Sequence, residues 1–560
     1  MLWILALMVF GVSCARQALD EKAFMEVFLA PLDQNELSLD SVVLRGVVLN
    51  AIDKPFEVGF ITADSLNEIL KSPESLPKMN VQNVDALGNF KVTQAVKAGK
   101  ITYYRAFAQL QERIVYSADI RSYDLGKLVE IIGSPEVDNN EVFMRARIKG
   151  LETTQSTLTS YGFVYAENDP TPEIGPNCLC TQYGNLQVDT FFSDTLKNLK
   201  FNTNYYCRAF IVTNAGSVIY SETTTMPVKG GWSLAFNTPT PYQEGSIVAV
   251  ETANGVFMGF GCTSNDLICY QSNLAATYYQ LSVNDGTATV LSDFPGQKRT
   301  NVLQFAIADT IYVIGGGYFE AGSTEELPVR NFFKYSISAK QWFQGVEPTN
   351  IPRRTGAVAF ILNGKAYIGA GKTTNGSALN DFWEYSPATA TWKSVQAMPA
   401  KKSTTSPVEN IGRYEAVAFT IGQNAYVGGG ENNLTPLQDF WKFTAPNPNA
   451  PNGEWTLVDF FPGRPRVEAV AFSIQDKGYY GTGFNPDKGE LNDFWVFDPQ
   501  RVPQWKAITP FKGGNRRQNM AFAFQSHGYV GTGLRKQLTD DGNNVEDIIF
   551  SDFWKYTPDN

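Results

Sequence analysis

From Trp232 to the C-terminus the chain writes one phrase six times. The clearest copies read AVAFILNGKAYIGAG then NDFWEYSPATATW, AVAFTIGQNAYVGGG then DFWKFTAPNPNAPNGEW, and AVAFSIQDKGYYGTG then NDFWVFDPQRVPQW. Anchored on one glycine per copy (Gly261, Gly316, Gly371, Gly430, Gly483, Gly533), the steps are 55, 55, 59, 53 and 50 residues. That length holds four short strands and their turns. A single unit of that size cannot bury both of its faces, so the copies must stack or close into a ring.

The columns around the glycine are strict. Four residues before it stands an aromatic: Phe257, Tyr312, Tyr367, Tyr426, Tyr479 or Tyr529. Seven residues earlier five copies have Phe305, Phe360, Phe419, Phe472 and Phe522. Six residues earlier still, the same five have Arg299, Arg354, Arg413, Arg466 and Arg516. After a loop of varied length comes Asn331-Phe-Phe, Asp381-Phe-Trp, Asp439-Phe-Trp, Asp493-Phe-Trp or Asp552-Phe-Trp. Four copies then end on Trp342, Trp392, Trp455 or Trp505. This combination closely resembles the kelch repeat. The resemblance implies an all-β chain whose C-terminal part is a six-bladed kelch β-propeller, similar to the central domain of galactose oxidase.

Register argues how the ring closes. The last copy has no final Trp strand, and the missing Trp stands ahead of the first copy, in Gly231-Trp-Ser-Leu-Ala-Phe236. The stretch 231–237 is therefore expected beside 552–556, completing the last blade and hiding its edge.

Composition narrows the chemistry. One histidine, His527, in 560 residues removes most imidazole catalysis and most zinc, copper or haem sites. The copper site of the galactose oxidase family needs two histidines, so the resemblance implies a relative without that activity. No catalytic residue, cofactor or metal is assigned. The formal charge of −10, with 46 basic against 56 acidic residues and no recurring basic patch, argues against nucleic acid.

Binding residues are expected on the propeller rim, where loops collect. The varied loops are 318–330, 372–379, 399–412, 431–438, 484–491 and 534–550. The recurring Arg354, Arg413, Arg466 and Arg516 carry two readings. Each either bonds carbonyls or the Asp of the aromatic strand, or rings a channel mouth and holds an anion or sugar. The unaligned Arg353, Arg464 and Arg517, with Tyr318 and Phe319, are further candidates for a glycan or protein ligand. Six-bladed kelch proteins also include sialic-acid epimerases. That resemblance implies an alternative, a metal-independent sugar-modifying enzyme using Glu415 and Glu468. Strand alternation would put each on the face of its neighbour Arg413 or Arg466.

The N-terminal part holds a different plan, written twice. EVFMRARIKG answers SVVLRGVVLN, and Tyr-x-Arg-Ala-Phe recurs at Tyr103–Phe107 and Tyr206–Phe210. Two units of about seven strands each predict two β-sandwiches, with the first Tyr and the Phe of each motif in the core. The phrase from Leu196 to Gly216 resembles fibronectin type III-like modules of Bacteroidota surface proteins. Segment 64–80 interrupts the alternation and reads as a long inter-strand loop, with a short helical turn as the alternative.

Residues 1–10 are an apolar run too short to span a bilayer, ending in Gly11-Val12-Ser13-Cys14. This resembles a bacterial lipoprotein signal, with Cys14 carrying the lipid. Membrane attachment through that anchor, at the outer membrane or cell surface, is the expectation; otherwise the chain is periplasmic or secreted. Cys262 and Cys269 bracket a short loop that a disulfide would close, and Cys207 is placed to reach Cys178 or Cys180. The expected order is a signal peptide (1–13), a tether leading into a first strand (14–32), fibronectin III-like sandwiches (33–126 and 127–228) and the propeller (229–560).

Overall fold

The six phrases fold as six four-stranded antiparallel sheets in a computed structural model of the chain. It describes residues 26–32, 41–49, 56–95, 101–111, 113–124, 128–149, 151, 157–176, 178–186, 188–242, 245–250, 255–263, 270–538 and 545–559. Cys14, Cys269 and the segment 1–13 lie outside the described residues, and with them the lipid anchor and the Cys262–Cys269 bridge. The chain divides into two units, Met1–Val228 and Lys229–Asn560.

In Lys229–Asn560, blade 3 shows the plan: Val358–Leu362, Lys365–Gly369, Phe382–Ser386 and Thr391–Val395, paired in that order from the channel outward. The inner strands are Ser246–Val250, Leu303–Ile307, Val358–Leu362, Val417–Ile421, Val470–Ile474 and Met520–Phe524. Each packs against the one before and after, and the sixth meets the first. Their small residues, Ala357, Ala359, Ala416, Ala418, Ala471 and Ala521, line a central cavity of about 210 Å³. Blade 6 takes its outer strand from the start of the ring: Gly231 pairs with Thr557, Trp232 with Tyr556 and Asn237 with Asp552.

Aromatics fill the widening wedge between blades. Phe360, Phe419 and Phe472 stack on Tyr367, Tyr426 and Tyr479 of their own blade, with ring centroids 5.3, 5.4 and 5.2 Å apart. The next blade closes over the tyrosine with Phe443, Phe497 or Tyr556. Each outer Trp packs back on the preceding blade: Trp455 lies 4.9 Å from Phe382 and Trp505 4.9 Å from Phe440. The glycines serve two purposes. A Cβ on Gly428 would lie 2.4 Å from the Phe440 ring of its own blade, and one on Gly429 would lie 2.6 Å from Tyr480 Oη of the next.

In the N-terminal unit each copy is two facing sheets. The first pairs Glu26–Leu29, Ser41–Leu49 and Asn89–Ala95 against a sheet built on Glu57–Ala63 and Ile101–Leu110. The second sets Glu141–Ile148 and its neighbours against Leu158–Glu167 and Thr203–Thr213. The expected loop at 64–80 contains a helix, Leu66–Lys71, whose N-cap Ser65 accepts from Asn67 N. The inward positions of the repeated motif are Tyr104 and Cys207, while Tyr103 and Tyr206 are half-buried; Phe107 and Phe210 are buried as expected. Arg105 and Arg208 act alike: each Nε bonds a carbonyl of the adjoining stretch (Ser117, Ser221), and each guanidinium lies over a Tyr ring. Cys178 is paired with Cys180, so the expected bridge from Cys207 is not formed; Cys207 is enclosed in the sandwich core.

Candidate functional site

The recurring arginines belong to the walls. Arg354, Arg413, Arg466 and Arg516 are at most 2% exposed. Each Nη1 donates to the carbonyl just before the anchor glycine: Ala370, Gly429, Thr482 or Thr532. Each guanidinium also pairs with the Asp of the third strand. Arg354 holds Asp381 by two bonds of 2.8 and 2.7 Å, and Arg466 holds Asp493 by two of 2.7 Å. The same carboxylate accepts the indole of the Trp two residues on: Trp383, Trp441, Trp495 or Trp554. The Asp-Phe-Trp phrase is thus an Arg–Asp–Trp lock in four blades. Blade 2 lacks both Asp and Trp there, and its Arg299 lies over the Phe294 ring instead; burial lowers its pKa to about 10. These arginines are not available to a ligand, which corrects the mouth-ring reading for Arg354, Arg413, Arg466 and Arg516.

The mouth is built by the residues between each arginine and its inner strand. Asn301, Gly356, Glu415, Glu468 and Gln518, two residues after the arginines, all have left-handed backbones with φ from 51° to 60°. That turn breaks strand alternation. Glu415 and Glu468 therefore leave the face of Arg413 and Arg466, against the expectation from spacing, and sit where the channel opens. Glu415 N donates to Gly356 O at 2.7 Å, linking neighbouring blades. Glu468 accepts from Arg517 Nη1 at 3.1 Å and from Gln518 Nε2 at 3.2 Å, both in the next blade.

Four further carboxylates stand here, among them Asp547 in the loop 534–550 where binding residues are expected. Glu326 Oε1 accepts from Thr300, Asn301 and Thr355, at 2.7, 3.2 and 2.9 Å. Glu431 meets the Tyr414 phenol, whose pKa rises through burial and then through that contact. Glu490 Oε1 lies 3.5 Å from Arg517 Nε. Asp547 is a buried residue of the rim hairpin Leu534–Leu538/Val545–Ile549, opposite Lys536. Lys372 Nζ stands 5.0 Å over the Tyr414 ring. The signal for Lys372 and Glu431 lay in the residue after the anchor glycine, a column that varies inside an otherwise strict repeat. Glu326, Glu431 and Glu490 sit on short hairpins too brief for any periodicity to show.

The remaining candidates scatter. Arg353 and Arg464 are exposed, Tyr318 is half-buried, and Phe319 is buried against Cys262 and Leu274. Of the residues singled out by sequence, only Arg517, Glu415 and Glu468 share the mouth. His527 starts a strand, with its pKa lowered by burial and then by Lys555.

Burial first, then the charge of Glu468, lifts the Glu415 carboxyl to about 8, against the pull of Lys372. Burial raises Glu468 as well, against Arg517. A carboxyl that holds its proton more tightly when folded makes stability fall as pH climbs from its ordinary 4.5 toward about 8. Glu415→Gln is therefore expected to raise the thermal midpoint at about pH 9 and to leave it unchanged at about pH 4. Melts across that range test this; an equal shift at both ends would rule out titration of this carboxyl.

Comparison with known proteins bears on the same ring. The KLHDC2/KLHL20/DRC7 Kelch-repeats domain matches residues 301–533. Residues 229–560 form a kelch β-propeller. A solved structure titled "Structure of YjhT" is similar to the chain at 15% identity and a TM-score of 0.43, covering 56% of this chain and 99% of its own. A search of curated proteins returned no match. The kelch match spans blades 2 to 5 and reaches the anchor glycine of blade 6, so it includes most of the mouth but not the closing strand.

Proposed function

We propose that the chain is a surface recognition protein whose kelch propeller binds a glycan or a protein segment at the channel mouth and performs no chemistry on it. One observation carries this reading. At the blade 5 and 6 side of the mouth, Asn519 Oδ1, Arg535 Nε and Asp547 Oδ1 are buried without a hydrogen-bond partner among the described residues, beside the long Arg517–Glu490 contact. A buried polar atom left unpaired costs about 1–3 kcal/mol, so it is kept where something from outside meets it. Donors and acceptors intermixed at one spot suit a hydroxyl-rich partner. The kelch fold supports a binding role in general terms.

The test presents the full chain to an array of oligosaccharides and, separately, uses it to capture proteins from cell-surface extracts. Arg517→Ala is expected to weaken the captured interaction by about tenfold or more, the scale of a buried charged anchor. Retention of wild-type binding by Arg517→Ala, or no binding to either class, would sink the proposal. The raised Glu415 carboxyl beside Tyr414 and Lys372 favours one second reading, an epimerase-like acid–base site. Faster anomer exchange of N-acetylneuraminate by NMR, lost in Glu415→Gln, would replace binding with catalysis.

In this proposal the two sandwiches are fibronectin III-like spacers, and lipidated Cys14 holds the chain at the membrane. The observation behind the anchor is the apolar run ending in Gly11-Val12-Ser13-Cys14. Cys14→Ser protein that stayed in the membrane fraction would contradict it.

A further inference from the structure

The opposite end of the propeller carries the turns between first and second and between third and fourth strands. There blades 4 and 5 are separated by a cleft of about 600 Å³. One wall is a row in register across blade 4, Tyr426, Lys442 and Thr456. The other is formed by the turns of blade 5 at Asp476 and at 499–504. The cleft exists here because the outer turns are long. Nine residues separate Thr444 from Glu454 and seven separate Phe497 from Trp505, against four between Ser386 and Thr391 in blade 3.

In blades 2 and 3 the middle residue of that row is held by a neighbour. Glu384 of blade 3 accepts from Lys365 at 2.7 Å and Tyr367 at 2.6 Å, and Lys334 of blade 2 lies 5.9 Å over the Tyr312 ring. Lys442 is not held in that way. Together with Gln423, Thr456, Asp476 and Gln500, it makes no side-chain hydrogen bond, ion pair or ring contact within the described residues. Five polar side chains without partners therefore meet on one cleft of ligand size, which for small molecules runs from about 300 to 1,000 Å³.

We propose that this cleft is a second binding site, for a neutral oligosaccharide. Its one cation and one anion cancel, so nothing in it selects an anion. Two amides and a hydroxyl both donate and accept, as the neighbouring hydroxyls of a sugar require. Leu457, Val458 and Pro499 add apolar surface for the C–H face of a ring.

The experiment titrates the full chain with maltotriose, cellotriose and chitotriose by calorimetry, alongside an array of neutral and acidic glycans. Gln423 and Gln500 are exposed turn residues, so Gln423→Ala/Gln500→Ala leaves the fold intact. That variant is expected to bind the best neutral probe about tenfold more weakly or not at all. Wild-type protein that binds no neutral oligosaccharide, or a double variant that binds as tightly as wild type, overturns the site. So does binding confined to acidic glycans or to peptides. Neutral-sugar binding lost in Arg517→Ala but kept in the double variant assigns the ligand to the mouth, and the cleft proposal falls while the mouth reading stands.

Discussion

Asp439→Ala is expected to destabilise the propeller by about 3–5 kcal/mol, the cost of leaving a buried charge without its partner. Both members of the pair are closed off: the Asp439 side chain is 0% exposed and that of Arg413 2%. The carboxylate also accepts from Lys401 N and from Trp441 Nε1, so three donors lose their acceptor at once. The same substitution at Asp493 should cost less. Its side chain is 40% exposed, and water can reach the guanidinium that remains. The loss belongs to the broken pair, and not to any net worth of the ion pair. Arg413→Met/Asp439→Leu is therefore expected to recover most of it, because paired desolvation roughly cancels paired attraction. Urea unfolding followed by tryptophan fluorescence reads this cleanly, since nine of the ten tryptophans lie in the propeller and the tenth is Trp3. Equal losses at Asp439 and Asp493, or a double variant no better than Asp439→Ala, would count against the lock.

That lock shows how far the sequence could be read. An Arg column and an Asp column recur together in four blades, at separations of 27, 26, 27 and 36 residues, so a partnership between the columns was legible although the loop between them varies. That Trp441 shares the carboxylate was not, because an aromatic after Asp-Phe reads as packing. Blade 2 held the clue: it has Asn331 where the others have Asp and Phe333 where they have Trp, and both changes occur together. The mouth was harder. Period-two alternation holds only while the backbone stays extended, and Glu415 and Glu468 sit at φ of 54° and 53°. No residue type announces that turn, since its five positions are held by Asn, Gly, Glu, Glu and Gln. The helix at Leu66–Lys71, the alternative reading of that segment, did carry a mark, Ser65 followed three residues later by Glu68, which is a capping-box spacing.

Trp232→Ala should cost about 3–5 kcal/mol, the range for a fully buried large aromatic, although Trp232 is separated in sequence from every residue it packs on. Its ring is 0% exposed and lies about 5 Å from Phe494, Phe511 and Tyr556. Its Nε1 donates to Thr509 O of the preceding blade at 3.1 Å, as Trp342 does to Ser292 O and Trp455 to Gln396 O of the blades before theirs. Trp232 thus performs for blade 6 what a local tryptophan performs elsewhere, but its strand arrives from the far end of the ring. Gly230 fixes the approach. A Cβ there would lie 2.2 Å from Thr557 O, and its N–H donates to Asp559 Oδ1 at 2.8 Å. A weakened closure exposes the Asp552–Thr557 strand as a bare edge, so Trp232→Ala is also expected to self-associate as it unfolds. Size-exclusion chromatography at intermediate urea would detect this, with Trp342→Ala as the comparison. Trp342 is only half-buried, and its loss opens no edge. If the two variants unfold at the same urea concentration and neither associates, the strand 231–237 is not what keeps the ring closed.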